Sequence, residues 1–267
     1  MTLRFLLVPQ WQGSPSSRAM RLAEGVAALR SDLPPSATTE IDVPLEAGDE
    51  QGTGIARYGS LRLVHDRITA ALAGVDGPAV VVGGDCAVAA ASVESALHRH
   101  PEACVVWFDA HPDLNSPASS PSGAFAGMVL RAAIDAGDVP ASRVVLAGAR
   151  SWDDGERAFA DEAGIRALGV DELDDPAALV DAVAATGADA VYFHVDLDVL
   201  DPAELDGLLD PEPFGMRPAA LVAALKALRE RFPLAGASLA AYAPAAPDTE
   251  QAADDAATIL RIIAALG

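Results

Sequence analysis

The chain is poor in cysteine and in basic residues, and it has no long apolar run. It contains 18 Lys and Arg residues against 39 Asp and Glu residues, and its formal net charge is -21 over 267 residues. A surface this acidic repels phosphate backbones, so we expect no nucleic-acid partner. No stretch reaches the roughly 18 apolar residues that cross a bilayer, so we expect no membrane partner.

The two cysteines are predicted to be unpaired. Cys104 lies within one predicted strand, and Cys86 lies just beyond the end of another. If these strands are parallel neighbours, the two sulfur atoms are too far apart to bond. Free thiols suit a reducing compartment, so we expect a cytoplasmic location. Residues 1–10 are apolar but lack a basic start and a cleavage site, which favours a first strand over a signal peptide.

Short apolar runs alternate with helical patterns along the whole chain. This alternation predicts one α/β domain over residues 1–267, in which a mostly parallel sheet lies between two layers of helices. The central strands are apolar on both faces, as a covered parallel sheet requires. The predicted strands are 3–8, 40–43, 79–82, 103–108, 143–147, 165–167, 190–195 and 234–241. The predicted helices are 18–29, 59–72, 87–98, 123–135, 155–162, 176–184, 218–229 and 252–265.

Two acidic runs directly follow apolar strands. Asp109, His111 and Asp113 come after the first strand, and Asp196 and Asp198 come after the second. Carboxylates at such buried places are costly unless they meet positive charge, and no Lys or Arg is nearby in the sequence. Carboxylates and an imidazole suit divalent ions such as Mn²⁺. The sequence therefore predicts a metal site, and five ligands are more than one ion needs.

The spacing of the first run requires a bend in the chain. In an extended strand Asp109 and Asp113 would lie about 13 Å apart, whereas metal–oxygen bonds are near 2 Å. The chain must therefore curl after the strand, and Pro112 with the turn-rich residues that follow permits this. The alternative is that Asp109 and Asp196 merely cap turns or helices after their strands.

Two further features lie close to these runs. Residues 81–89 form a strand, a glycine turn and a helix start, in which Asp85 is a potential helix N-cap. His194 precedes Asp196 by two residues and shares its face of the strand. We interpret His194 as a candidate catalytic acid, as a hydrogen-bond donor to a metal ligand, or as an ordinary core histidine.

These elements together resemble the arginase–agmatinase–formimidoylglutamase family, the ureohydrolases. The family signatures GGDH, DAHxD and DxDxxDP correspond in order and spacing to residues 83–86, 109–113 and 196–202. The resemblance implies an arginase/deacetylase-like fold, a three-layer αβα sandwich with an eight-stranded parallel sheet. It also implies a small-molecule substrate and a homo-oligomer, either a trimer or a hexamer.

The resemblance also implies a pair of metal ions, Mn²⁺ first among the candidates. By it, Asp109 and Asp196 bridge the two ions, Asp113 completes the site of one, and His111 and Asp198 complete the site of the other.

Position 86 departs from the family. The family carries a histidine ligand there, and this chain carries Cys86. Thiolate is a soft ligand and a poor match for Mn²⁺. Cys86 could bind a softer ion such as Zn²⁺ or Fe²⁺, it could stay unligated beside a weak site, or it could fill a site that has lost its metal.

Two loops resemble the segments that hold the substrate in arginases. By this resemblance, Asn115, Ser120 and Ser122 contact the carboxylate of an amino-acid substrate, and Asp153 faces its ammonium group. Ordinary turn chemistry is the alternative for each of these residues.

Two more departures argue against arginase activity itself. Ala126 stands where arginases carry a proton-shuttling histidine, and Ala220 stands where they carry a glutamate that pairs with the guanidinium. Without that glutamate a guanidinium loses a bidentate, charge-assisted pair. With these departures, the resemblance implies a hydrolase of linear C–N bonds in a guanidino, amidine or related compound, with a metal-bridging hydroxide as nucleophile and Asp113 orienting it. The alternatives are a non-catalytic binding or regulatory protein and a deacetylase-like amide hydrolase.

Overall fold

The computed structural model describes residues 3–246 and 249–267, and its centre is a sheet of eight strands. All strand pairings in this sheet are parallel, which confirms the predicted α/β class. The strands are β1 (Arg4–Val8), β2 (Thr38–Glu40), β3 (Ala79–Gly83), β4 (Cys104–Phe108), β5 (Val144–Ala147), β6 (Arg166–Leu168), β7 (Val191–Asp196) and β8 (Leu234–Ala240). Their order across the sheet is β2-β1-β3-β8-β7-β4-β5-β6.

Helices cover both faces of the sheet, so the three-layer architecture is confirmed. The helices are α1 (Met20–Leu29), α2 (Tyr58–Leu72), α3 (Ala89–Arg99), α4 (Val129–Ala136), α5 (Asp154–Ala163), α6 (Pro176–Ala185), α7 (Pro218–Arg231) and α8 (Glu250–Leu266). Apolar residues of α1, α6, α7 and α8 pack on one face, and those of α2, α3, α4 and α5 pack on the other. Within the described residues, no helix combines the length and the apolar character that a membrane crossing requires.

The edge strand β2 differs from its prediction. It covers Thr38–Glu40 and not residues 40–43, because it pairs with β1 alone over three residues. Ile41 donates one more backbone hydrogen bond to Leu7, and the chain then leaves the sheet before Pro44, which has no N–H to donate. Residues 40–43 therefore contain the last residue of the strand and the segment that follows it, of which Ile41 is buried.

The fourth helix also starts later than predicted. Residues 123–125 lie outside it, one 3₁₀ turn (Ala126–Met128) follows, and α4 begins at Val129. Gly123 has a left-handed φ of 65°, and the N–H of Ala126 donates to the carbonyl of Gly13. This tertiary contact holds the segment as a wall of the site described below.

Candidate active site

The candidate site lies at the carboxyl ends of four neighbouring strands, β3, β8, β7 and β4. Cys86 follows β3, Ala241 follows β8, Asp196 ends β7 and Asp109 follows β4, and all four line one cavity of about 260 Å³. β3 and β4 flank the β8–β7 pair in the sheet. Open parallel sheets place ligands outside the carboxyl ends of their strands.

One group of potential ligands combines a thiol, an imidazole and two carboxylates. One donor atom each from Cys86, Asp109, His194 and Asp196 lies within 4.8 Å of the other three. The Cys86 thiol donates to Asp196 Oδ2 at 2.7 Å, and His194 Nε2 lies 3.9 Å from Asp109 Oδ2. All four residues are buried, so the group is shielded from bulk water.

A second group shares Asp109 with the first and adds His111 and Asp198. His111 Nδ1 lies 3.0 Å from Asp198 Oδ2 and 3.6 Å from Asp109 Oδ1. The chain curls after β4 as the spacing predicted, because the His111 N–H donates to Asp109 Oδ1 at 2.7 Å. Asp109 therefore caps its own turn and also belongs to both groups.

Without cations, the ionised forms of the carboxyl groups in this cluster are unfavourable. Burial raises the pKa values of Asp109 and Asp196, and the charges of neighbouring carboxylates raise them further. The same causes raise the pKa of Asp198 to about 6. Burial alone would lower the pKa of His111, but the carboxylates of Asp109 and Asp198 raise it above its ordinary value. A divalent ion would stabilise the ionised carboxylates here.

Two buried polar atoms of the described chain lack any hydrogen-bond partner here, Asp113 Oδ2 and His194 Nε2. An unpaired buried polar atom costs about 1–3 kcal/mol, so such atoms at a cluster of acids point to a missing ligand. Thiol, imidazole and carboxylate are all donors that divalent ions accept. The residues present therefore fit a divalent metal.

Asp113 and His194 differ in how they lie relative to the two ligand groups. Asp113 is buried, lines the cavity and has a left-handed φ of 53°, but it belongs to neither of the two groups found among the described residues. His194 belongs to the group that contains Cys86. Burial lowers the pKa of His194 to about 3, so its ring is neutral at neutral pH.

The four predicted substrate residues all line the same cavity, on the wall formed by residues 115–125 and the start of α5. Asn115 Nδ2 donates to Asp153 Oδ2 at 2.8 Å, and Ser120 Oγ and Ser122 Oγ are 3.2 Å apart. The structure therefore brings them together, and their contacts with substrate stay a prediction.

Two residues that position the site, Glu156 and Arg150, were not assigned this role from the sequence. Glu156 is buried and accepts from the N–H groups of Leu114 and Asp153, both at 3.0 Å. Its spacing from Asp153 is that of a capping box, a signal that could have identified it. Arg150 donates to the carbonyl of Asp198 at 2.8 Å, and nothing in the local sequence signals this contact.

Asp85 caps the turn after β3, as predicted, and has a second role. It accepts from the Ala87 N–H at 3.0 Å, from the Gly13 N–H at 2.8 Å and from Gln10 Nε2 at 2.9 Å. Burial raises its pKa to about 6. Asp85 thereby fastens the loop after β1 to the floor of the cavity.

Comparisons with known proteins agree with this geometry. The sequence model described as the Arginase family matches residues 18–265. An N(omega)-hydroxy-L-arginine amidinohydrolase of Streptomyces lavendulae is 35% identical over 213 residues, which cover 77% of this chain and 74% of the relative. The arginase of Bacillus subtilis strain 168 is 31% identical over 149 residues, which are 49% of this chain and 50% of that enzyme.

The fold is also that of a solved arginase. The structure of Entamoeba histolytica arginase in complex with L-ornithine superposes with a TM-score of 0.84 at 21% identity, covering 99% of this chain and 97% of the other. The match of the family model to nearly the whole sequence, together with the related amidinohydrolase, identifies the family. The chain belongs to the arginase family and is a hydrolase that acts on non-peptide C–N bonds.

Proposed function

We propose that the protein hydrolyses the guanidino group of a small amino acid at a site for two divalent ions, and that it prefers an N-hydroxylated guanidino group. The observation that carries this proposal is the pair of buried ligand groups that share Asp109 at the carboxyl ends of the sheet. Membership in the arginase family supports the bond type, and the amidinohydrolase of S. lavendulae supports the substrate.

The proposed ligands are the six residues assigned from the sequence, with Mn²⁺ as the first candidate and Zn²⁺ or Fe²⁺ as alternatives because of Cys86. When bound, such ions supply Lewis acidity: they acidify water and stabilise negative charge that develops on the substrate. The six residues are Cys86, Asp109, His111, Asp113, Asp196 and Asp198.

The protein's own groups orient the reactants. Asp113 has a buried carboxylate oxygen with no partner in the described chain, so it is available to orient the attacking water and to accept its proton. Asp153 lies on the cavity wall, where its carboxylate suits an α-ammonium group. Ser120 and Ser122 lie beside it, where their hydroxyls suit an α-carboxylate.

The preference for an N-hydroxylated group follows from what position 220 lacks. Ala220 lies in the first turn of α7 against the apolar core and offers no carboxylate to a cationic guanidinium. An electron-withdrawing hydroxyl makes a guanidine a weaker base, so the substrate can bind uncharged and needs that partner less.

Neither alternative from the sequence is favoured. The relatives described above are hydrolases of guanidino groups, which disfavours a non-catalytic binding protein and a deacetylase-like amide hydrolase. A cytoplasmic location, a trimeric or hexameric assembly and the absence of a nucleic-acid partner remain predictions.

The test is a comparison of N-hydroxy-L-arginine with L-arginine, with ornithine as the common product. The protein is freed of metal and reloaded with Mn²⁺, Zn²⁺ or anaerobic Fe²⁺ before each assay. We expect kcat/KM for the hydroxylated substrate to exceed that for arginine by at least about tenfold. Asp196→Asn is the inactive control. Equal or better use of arginine would overturn the substrate preference, and no ornithine with any ion would overturn the proposed reaction.

A further inference from the structure

We propose that His194 is itself a metal ligand through Nε2, on the side of the site that contains Cys86. It would supply there the nitrogen donor that the family resemblance expects at position 86. The inference rests on the proposed function only in that the site holds divalent metal. It adds His194 to the six ligands proposed above, whereas the sequence interpretation treats His194 as an acid, a supporting donor or a core histidine.

The first observation is the state of the Nε2 atom. His194 is 0% exposed, and its Nε2 has no hydrogen-bond partner in the described chain. The nearby carboxylate oxygen, Asp109 Oδ2, is 3.9 Å away, which is too far for a hydrogen bond. Two ligands of one ion, each with a bond of about 2 Å, are separated by up to about 4 Å. The distance of 3.9 Å between the two atoms therefore fits two ligands of one ion better than a direct hydrogen bond.

The second observation concerns the donor atoms that surround Nε2 of His194. Its neighbours within 4.8 Å are one donor atom each from Cys86, Asp109 and Asp196. Together they make a set of one sulfur, one nitrogen and two oxygen donors, which is the number that a four-coordinate ion takes. Asp113 is not part of this set.

The third observation is that neighbouring strands of the sheet fix the position of the His194 imidazole ring. Trp107, His194 and Ser238 are register partners across β4, β7 and β8, so their side chains form a row on one face. The indole of Trp107 stacks on the imidazole with ring centroids 3.8 Å apart and planes 21° apart. Trp107 Nε1 also donates to Asp109 Oδ2 at 3.1 Å, so one side chain positions both potential ligands.

The other ring nitrogen has the partner that a ligating histidine needs. His194 Nδ1 lies 2.7 Å from Ser238 Oγ, and the hydroxyl of Tyr192 lies 2.8 Å from the same oxygen. When Nδ1 carries the proton and donates it to Ser238, Nε2 presents its lone pair to the metal. All three residues are fully buried, so water does not compete for this hydrogen bond.

The two sides of the site would then differ in chemistry. The side with Cys86 and His194 offers sulfur and nitrogen, and it suits Zn²⁺, Fe²⁺ or Co²⁺ better than Mn²⁺. The side with His111 and Asp198 offers nitrogen and oxygen, and Asp109 belongs to both.

Cobalt is the probe for the test, because bound Co²⁺ reports thiolate ligation by a charge-transfer absorption band. Metal-free wild type is titrated with Co²⁺, and bound ions per chain are counted by equilibrium dialysis. We expect two ions and a thiolate band for wild type. His194→Ala should lose the ion on the Cys86 side, with affinity there lowered at least about 100-fold, while Ser238→Ala should weaken it by about 10–100-fold.

One control defines the negative result. His65→Ala removes a histidine of α2 that belongs to neither ligand group, and it should keep two ions and the thiolate band. A His194→Ala protein that binds two ions with wild-type affinity and an unchanged band would overturn the inference.

A measurement on the wild-type protein avoids any effect of substitution on folding. In a crystal structure of the cobalt-loaded protein we expect Nε2 of His194 at about 2.0–2.2 Å from an ion. A distance beyond about 3 Å from an ion bound by Cys86 would overturn the inference. Two bound ions with this contact but no hydrolysis of guanidino compounds would overturn the proposed reaction alone.

Discussion

Cys86 determines more of this site's chemistry than any other single residue we identified. Its thiol lies in the ligand group with Asp109, His194 and Asp196, and burial with the nearby carboxylates raises its pKa well above the ordinary value. A thiol in such surroundings ionises only when a cation is present to stabilise the thiolate. The identity of the metal is therefore coupled to this one position.

Replacing Cys86 with histidine should change the metal preference. We expect Cys86→His to bind Mn²⁺ at least about tenfold more tightly than wild type and Zn²⁺ less selectively, because imidazole is a harder donor than thiolate. Competitive dialysis of the two ions measures this change.

The matched control is the second buried cysteine. Cys104 lies within β4 and belongs to neither ligand group, so Cys104→Ala should leave both affinities unchanged. An unchanged Mn²⁺ affinity in Cys86→His, in a protein that folds normally, would show that position 86 does not contact metal.

The site's residue types were predictable from sequence, but their partners were not. Asp109, His111, Asp196 and Asp198 stand out because acids directly after apolar strands are rare without a cation. The contacts that fix His194 come from β4 and β8, which are distant in sequence, so no local pattern reveals them.

At the scale of elements, the turn after β3 brings Cys86 to the site. Gly84 lies against the loop that follows β1, and a Cβ atom at this position would lie 1.9 Å from the carbonyl oxygen of Gln10. The N–H groups of Gly84 and Asp85 donate to the carbonyls of Val8 and Gln10. The turn and the loop therefore pack backbone against backbone.

We predict that Gly84→Ala lowers the free energy of unfolding by several kcal/mol, on the order of 3 or more, because backbone atoms cannot yield to the added methyl group. Urea denaturation of the metal-free protein measures this loss.

Gly74→Ala is the control, because the nearest contact of its Cβ would be an ordinary 3.7 Å. It should change stability by less than about 1 kcal/mol. Equal effects of the two substitutions would contradict the close packing at Gly84.

The elements that sequence located best are those buried on both faces. β3, β4 and β7 agree with prediction to within one residue at each end. Continuous runs of apolar, β-branched residues are typical of strands that helices cover on both faces, so these strands are easy to locate in the sequence. The starts of β2 and α4 depend on an edge pairing and on the contact between Ala126 and Gly13, which are tertiary effects.

At the scale of the whole molecule, the parallel sheet brings several buried carboxylates together at the carboxyl ends of its central strands. The ends of β3, β4 and β7 bring together residues that lie up to 110 positions apart, such as Cys86 and Asp196. Metal binding and folding stability must therefore be linked.

We predict opposite pH dependences of stability with and without metal. In the metal-free protein, Asp85 and Asp198 have pKa values of about 6, against 3.8 for the ordinary group. Between about pH 4 and 6 these two carboxyl groups hold more protons in the folded state than in the unfolded state, so stability falls as pH rises, by up to about 3 kcal/mol for each group. His194, whose pKa burial lowers to about 3, acts in the opposite direction over this range, but it is one group against two.

Bound ions require ionised ligands, so the metal-loaded protein should gain stability as pH rises over the same range. Thermal unfolding with a chelator and with added metal measures both slopes. Asp85→Asn should remove part of the metal-free slope. A metal-free protein that becomes more stable from pH 4 to 6 would contradict the raised pKa values.

The most direct test of the site is the number of divalent ions that each chain holds, measured by elemental analysis after dialysis against micromolar Mn²⁺, Zn²⁺ or Co²⁺. We predict two ions per chain for wild type. Asp109→Asn should weaken both ions, because Asp109 belongs to both ligand groups. A folded wild-type protein that retains no ion under these conditions would contradict the metal site and the hydrolytic chemistry that depends on it.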